Sequence, residues 1–292
     1  MDHSGPGDPM VWMSVADVPA VVTAAFVAWW YLVSLRRVNR ADPTYPWPAT
    51  NSVCFFAGLL LALAVVAGPV ASASMSGFSM HMVQHIVLMM IATPLLVLGA
   101  PVLLGIRAAD DHQGRRRWVA VIRSRPWIVL TNPVVSWLVF AAVLVGVHFT
   151  PFMSAAMDAG ILGRYGEYLL YGGASFFFYY SLLPGNPAAN RLSPAARIGS
   201  LFLMMVPETM TGFFIYSATF SLVPSFAASA AASGRDGIAD QQLGGALMWS
   251  TGMIIDVAWI AVAVHEWFES EVSRTRSLDA QMRRESAAGT VQ

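Results

Sequence analysis

Four of the six histidines fall in or beside long apolar runs: His81, His85, His148 and His265. Two of them share the stretch Ser79-Met80-His81-Met82-Val83-Gln84-His85-Ile86-Val87-Leu88-Met89-Met90. In a helix, His81, His85 and Met89 stand at i, i+4 and i+8 on one face, with Met82 at its border. Imidazole together with thioether suits copper, and the thioether favours Cu(I). An i, i+4 histidine pair can hold one ion, and His148 can add a third nitrogen from a neighbouring helix. The same residues also fit a plainer pattern, because methionine stripes pack membrane helices and an interfacial histidine often serves only as a hydrogen-bonding group.

The acids form a second set. Glu167 and Asp240 border apolar runs and can act as oxygen ligands or orient an imidazole. Asp240 fits equally well as the N-cap of the run that follows it. Glu208, directly after Pro207, and Asp256 lie in the middle of apolar runs, where an ionisable group is costly and marks a functional candidate. They can share a proton, flank a polar cavity, or pair through water with Tyr216. Pro207 frees a backbone carbonyl and predicts a kink, with Met204, Met205 and Met210 around it as packing or as a metal relay.

These residues need apolar elements to position them, and the composition supplies those elements. Of 292 residues 56% are hydrophobic and only 12% charged, against roughly 25% charged in soluble domains. Mean hydropathy is +0.57. A water-soluble enzyme is excluded on that ground. All 17 basic residues are arginine and the formal net charge is zero, which argues against nucleic-acid binding. The single cysteine, Cys54, excludes an internal disulfide and any cysteine-pair metal site. No phosphate-loop or dinucleotide fingerprint occurs, nor a nucleophile elbow.

A bilayer-spanning helix needs about 20 mostly apolar residues. Seven stretches meet that need: roughly 17–36, 52–71, 80–104, 133–150, 165–184, 198–220 and 243–264. The expected fold class is an all-α integral membrane protein, a seven-transmembrane-helix bundle without internal repeats. Arg36, Arg37, Arg40, Arg107, Arg115, Arg116, Arg117, Arg123, Arg125, Arg191, Arg197, Arg274, Arg276, Arg283 and Arg284 fall on one side of it, leaving Arg164 and Arg235 for the other. The arginine bias places the N-terminus outside and the C-terminus in the cytoplasm. Residues 1–16 then form an extracytoplasmic segment, 17–264 the membrane domain, and 265–292 a charged cytoplasmic tail that prolongs the last helix. With no basic residue before the first apolar run, that run is expected to be retained as a span. Residues 115–125 read as a short helix on the inner interface, and the Ala/Ser/Gly-rich loop 221–239 as flexible.

The run His81-Met82-Val83-Gln84-His85, continuing through Thr93-Pro94-Leu95-Leu96 to Gly99-Ala100-Pro101, resembles the caa3-type cytochrome c oxidase assembly factor family, the polytopic CtaG proteins of Bacillus and actinobacteria. Asn132-Pro133 and His148-Phe149-Thr150-Pro151 are similar to the family's next span. Asp240-Gln241-Gln242-Leu243-Gly244-Gly245, with Met248-Trp249, is similar to its signature before the last span. These blocks follow in family order over about residues 50–265. One departure stands at the start of span five. There the family shows a histidine and then a Glu-His pair, whereas this chain reads Arg164-Tyr165-Gly166-Glu167-Tyr168 and keeps only the acid.

The resemblance implies a bacterial plasma-membrane protein that matures a haem–copper oxidase, with oxidase subunits and membrane lipid as partners and copper as the metal delivered. The expected role is non-enzymatic. Copper would bind at the extracytoplasmic face through His81, His85 and His148, with Met82, Met89 and Asp240 nearby. Two other classes remain open: a copper transporter with a path through Glu208 and Asp256, and a membrane haem protein with His85 and His148 as axial ligands.

Overall fold

Within a bilayer every backbone polar group must be satisfied internally, so an apolar chain of this kind is driven into helices. The computed structural model describes residues 14–109, 111–187 and 192–289, and among these it holds helices and no strands. Arg191 and residues 1–13 of the expected outer segment lie outside the described residues, as do the side chains of Arg283 and Arg284.

After a short 3-10 turn, α1 (Val18–Ala41) and α2 (Ala49–Val66) are followed by the short α3 (Gly68–Ser74). The histidine-bearing element comes next: α4 (Phe78–Ile86), a π-helical segment (Val87–Ala92) and α5 (Thr93–Leu98). Ala100, at a positive φ of 48°, turns the chain into α6 (Pro101–Arg107). Two short helices, α7 (His112–Ile122) and α8 (Arg125–Leu130), have no buried residues and occupy the stretch expected at the interface. Then come α9 (Pro133–Phe149), α10 (Phe152–Asp158), α11 (Ile161–Leu182), α12 (Pro194–Ser217), α13 (Pro224–Ala232) and the 53-residue α14 (Gly237–Gly289). Helix starts follow local chemistry. The Asn132 side-chain oxygen accepts from Val134 N and Val135 N ahead of α9, and Ser193 caps α12, each with proline in the first turn.

Five of these segments are long and apolar enough to cross a membrane: Val15–Ala41, Ala49–Val66, Phe78–Arg107, Pro194–Ser217 and Gly237–Asp279. The pair α9 and α10, bent by 72°, makes a sixth if it is counted as one span. The chain is therefore a multi-pass membrane protein with five to six candidate spans rather than the seven expected. The difference lies in α11. It has the length, at 22 residues, but Arg164, Glu167 and its glycines and tyrosines keep it out of that group.

The loop expected to be flexible, 221–239, contains α13, whose Phe226 and Ala230 are buried. Gln241 holds the approach to it in place, accepting from Leu222 N and donating to Phe220 O. Pro207 sits inside α12, which continues through it. The closest helix packing is between α12 and α14. A Cβ on Gly245 would stand 2.7 Å from Gly212 O, and one on Gly212 would stand 2.8 Å from Trp249 N. Small residues let the two backbones touch there.

The π segment has an identifiable cause. Pro94 lacks the N–H that would bond the Met90 carbonyl and its ring crowds that carbonyl. The ladder shifts instead, and Thr93 N–H reaches five residues back to Leu88 O. The carbonyls loosened by this are taken up by side chains: Thr93 Oγ1 donates to Leu88 O (2.8 Å), Ser175 Oγ to Met89 O (2.5 Å) and Trp259 Nε1 to Met90 O (2.8 Å). The consecutive residues Met89 and Met90 of this segment are both buried. Trp259→Phe keeps the ring and removes the donor, leaving the Met90 carbonyl unpaired. It is expected to cost about 1–3 kcal/mol, read as a lower melting temperature in detergent.

Candidate functional site

His81 and His85 lie one turn apart on α4 and His148 near the end of α9, and each is no more than 3% exposed. Their rings form a row: His81 to His85 is 5.0 Å between centroids, and His85 to His148 is 5.0 Å. Tyr171 stacks on His85 at 4.5 Å, and Phe226 of α13 covers His81 at 5.5 Å. His148 Nδ1 donates to Leu144 O at 2.6 Å, which fixes its tautomer and leaves the Nε2 lone pair free. The Nε2 atoms of all three histidines are buried without a hydrogen-bond partner. Buried polar atoms are almost always paired, so three orphans of one kind in one row mark it as a candidate ligand set.

Glu167 joins this row. Its Oε1 lies 3.7 Å from His81 Nε2 and accepts a hydrogen bond from Tyr171 at 3.0 Å. Tyr171 carried a usable signal, since it stands four residues after Glu167 on the same helix, but attention to imidazoles and acids alone passes over it. Among the described residues no three His, Cys, Asp or Glu groups already close on one point. The site is a row of donors that side-chain rotation would have to gather.

The other candidate ligands are placed differently. Asp240 does not cap its own helix. It accepts from Phe78 N (2.7 Å) and Ser79 Oγ (2.5 Å) and so caps α4, three residues before His81. Met82 is fully buried, and its Cγ would lie 3.0 Å from a Cβ on Gly244 of α14, so it packs at that helix contact. The Asp-Gln-Gln-Leu-Gly-Gly block is therefore a joint. Asp240 and Gly244 fix α4 against α14, Gln241 fixes the approach to α13, and Gly245 admits α12. Gln84, between the two histidines, donates to Val65 O (2.6 Å) and Tyr168 Oη (2.9 Å).

The first turns of α11 carry a network of their own. Arg164 Nη2 donates to Asp17 Oδ1 (2.6 Å) and Val66 O (2.9 Å), and its Nε donates to Tyr168 Oη (3.0 Å). Asp17 also accepts from Ser14 N and Gly68 N. This fully satisfied buried group ties the start of α1 to α11, and through Tyr168 and Gln84 to the histidine helix.

Met89 lies below the row. With His85, Met90, Glu208 and Met248 it lines a small cavity of about 10 Å³ between α4, α12 and α14. Glu208 and Asp256 are buried within hydrogen-bonding reach of each other, as the mid-span positions suggested. Tyr216 takes no part in this pair. It is 47% exposed on the outside of α12, and Tyr179 is the buried phenol beside the two acids. Met204 packs in the core, Met210 faces outward and His265 is exposed.

No solved structure matches the chain. Curated relatives do: an uncharacterized protein of Mycobacterium leprae (strain TN) is 30% identical over 258 residues, covering 84% of this chain and 38% of the relative. One of Mycobacterium bovis and one of Mycobacterium tuberculosis are each 27% identical over 267 residues, covering 87% of this chain and again 38% of the relative. The chain thus spans well under half the length of these relatives. The family model described as cytochrome c oxidase caa3 assembly factor matches residues 29–270, the stretch that holds the histidine row, the acid pair and the joint. The chain belongs to that family, the cytochrome c oxidase caa3 assembly factors.

Proposed function

We propose that this protein is a non-enzymatic assembly factor of the bacterial plasma membrane that binds copper at the extracytoplasmic face and passes it to a haem–copper oxidase subunit during biogenesis. In this reading α11 is a seventh crossing, its polar residues turned toward the other helices, and the arginine bias sets the N-terminus outside and the C-terminus in the cytoplasm. His81, His85 and His148 hold the ion, with Glu167 beside them as an oxygen donor. The observation that carries the proposal is the three buried, unpartnered Nε2 atoms. Neutral imidazole nitrogen is a copper ligand, and three buried imidazole nitrogens in one row without hydrogen-bond partners are nitrogens that side-chain rotation can turn onto one ion. A site at that face takes up its ion without carrying charge through the bilayer.

The test is Cu(I) affinity of the purified protein in detergent, measured against a competing chelator. Outer-shell partners of metal ligands alone are worth about 10–100-fold, so His81→Ala with His85→Ala should weaken binding at this site by more than about 100-fold. Equal affinity in the double variant would remove the site. A copper transporter is the second reading, favoured by the cavity that leads from His85 to Glu208. Proteoliposomes that accumulate copper, and stop doing so with Glu208→Ala, would put transport first.

A further inference from the structure

The cavity beneath the histidine row has a donor set of its own. Three methionines line it, Met89 and Met90 from the π segment and Met248 from α14, together with His85, Glu208 and the apolar side chains of Ile86, Phe140 and Leu144. His85 Nε2 and Glu208 Oε2 are both buried and without a partner. Glu208 Oε2 and the Met90 sulfur each lie 3.9 Å from where a Cβ on Gly252 would stand, so acid and thioether face the same gap from opposite helices. A cavity of about 10 Å³ has room for roughly one water or one bare ion and no hydration shell.

We propose that this cavity is a second, inner site for a single Cu(I) ion, held by the Met89, Met90 and Met248 thioethers with His85 above and the Glu208 carboxylate as counter-charge. The site presupposes copper handling at the histidine row and adds the place to which that copper moves. Thioethers select Cu(I) over the harder divalent ions. A buried monovalent cation needs one opposite charge close by, and a single carboxylate supplies it. His85 borders both sites and its one Nε2 lone pair bonds one ion at a time, so an ion can pass from the row to the cavity on it; with both sites filled, the thioethers and Glu208 hold the inner ion and His85 stays with the row. The rival occupant is a water bonded to His85 and Glu208, for which three surrounding thioethers would be poor neighbours.

The full chain in detergent, loaded anaerobically with Cu(I), separates these cases by copper count and X-ray absorption. The wild type should hold two Cu(I) per chain, one with sulfur in its first coordination sphere. Met89→Leu with Met90→Leu and Met248→Leu conserves volume and should leave one ion, with the sulfur signal gone. His81→Ala with His148→Ala should leave the sulfur-bound ion in place. A wild type that binds one ion through nitrogen and oxygen alone overturns the inner site and leaves the outer one standing. A wild type that binds no copper overturns both. The wild-type spectrum decides alone if the leucine variant does not fold.

Discussion

Valine at Gly245 is expected to abolish the folded protein. A Cβ there stands 2.7 Å from Gly212 O and 2.9 Å from Tyr216 Cα, and it clashes with the Tyr216 amide. These are backbone atoms, which cannot rotate aside, so α12 and α14 must separate along their closest contact. Overpacking of a well-fitted interior typically costs about 1–3 kcal/mol. Alanine should fall at the upper end of that range, and valine beyond it. The separation would also open the cavity between Glu208 and the π segment. Melting temperature in detergent and the yield of monodisperse protein check this, with Gly172→Ala as the control, since a Cβ there meets nothing within 4 Å. An unchanged melting temperature for Gly245→Val would mean that α12 and α14 do not pack as described.

Arg164→Met should be nearly as damaging for a different reason. Asp17 is fully buried and Arg164 nearly so, and the guanidinium is the only cation bonded to that carboxylate among the described residues. Removing one partner of a buried ion pair typically costs about 3–5 kcal/mol, because the other charge is left stranded. The start of α1 would loosen from α11, and with it the Tyr168–Gln84 link to the histidine helix. Asp17→Asn combined with Arg164→Met removes both charges and should recover part of the loss. Thermal unfolding of the two single variants and the double variant measures the coupling. Additive losses would show that the two charges do not interact.

What the sequence disclosed about the site depended on whether helical periodicity carried the information. His81 and His85 were legible because i, i+4 spacing brings two side chains together in any helix. His148 was legible only as a residue at similar depth, and the 5.0 Å approach to His85 confirms the neighbourhood. Glu208 and Asp256 were legible because acids are costly at mid-span, and they do meet. Met90 was not, since it falls outside the i, i+4, i+8 row of His81, His85 and Met89, and its place at the cavity and its bond to Trp259, 169 residues away, belong to the tertiary structure. Asp17 and Arg164 are 147 residues apart, and no local pattern announces their pairing. Asp240 looked like a ligand or the cap of its own helix, yet it caps a helix far away in the chain, which only tertiary structure reveals. The loop 221–239 looked flexible because its small residues carry little hydrophobic signal, but Phe226 and Ala230 are buried and seat α13, with Phe226 against His81. Tyr216 fell on the wrong face, and Tyr179 holds the position expected of it.

The stretch Arg164-Tyr165-Gly166-Glu167-Tyr168 also has a physical sense. Glu167 remains at the histidine row, while Arg164, Tyr165 and Tyr168 brace the helices around it. Glu167 thus faces the row while its neighbours on α11 support the helices beside it.

The most direct test of the proposed role is cytochrome c oxidase activity, with the haem a spectrum, in membranes from a strain lacking the gene. The account predicts that activity is lost, returns with the wild-type gene, and does not return with the variant carrying His81→Ala and His85→Ala although that variant is present in the membrane. Restoration by excess copper would place the defect at metal supply. Normal oxidase in the deletion strain, or full rescue by the double variant, would contradict it.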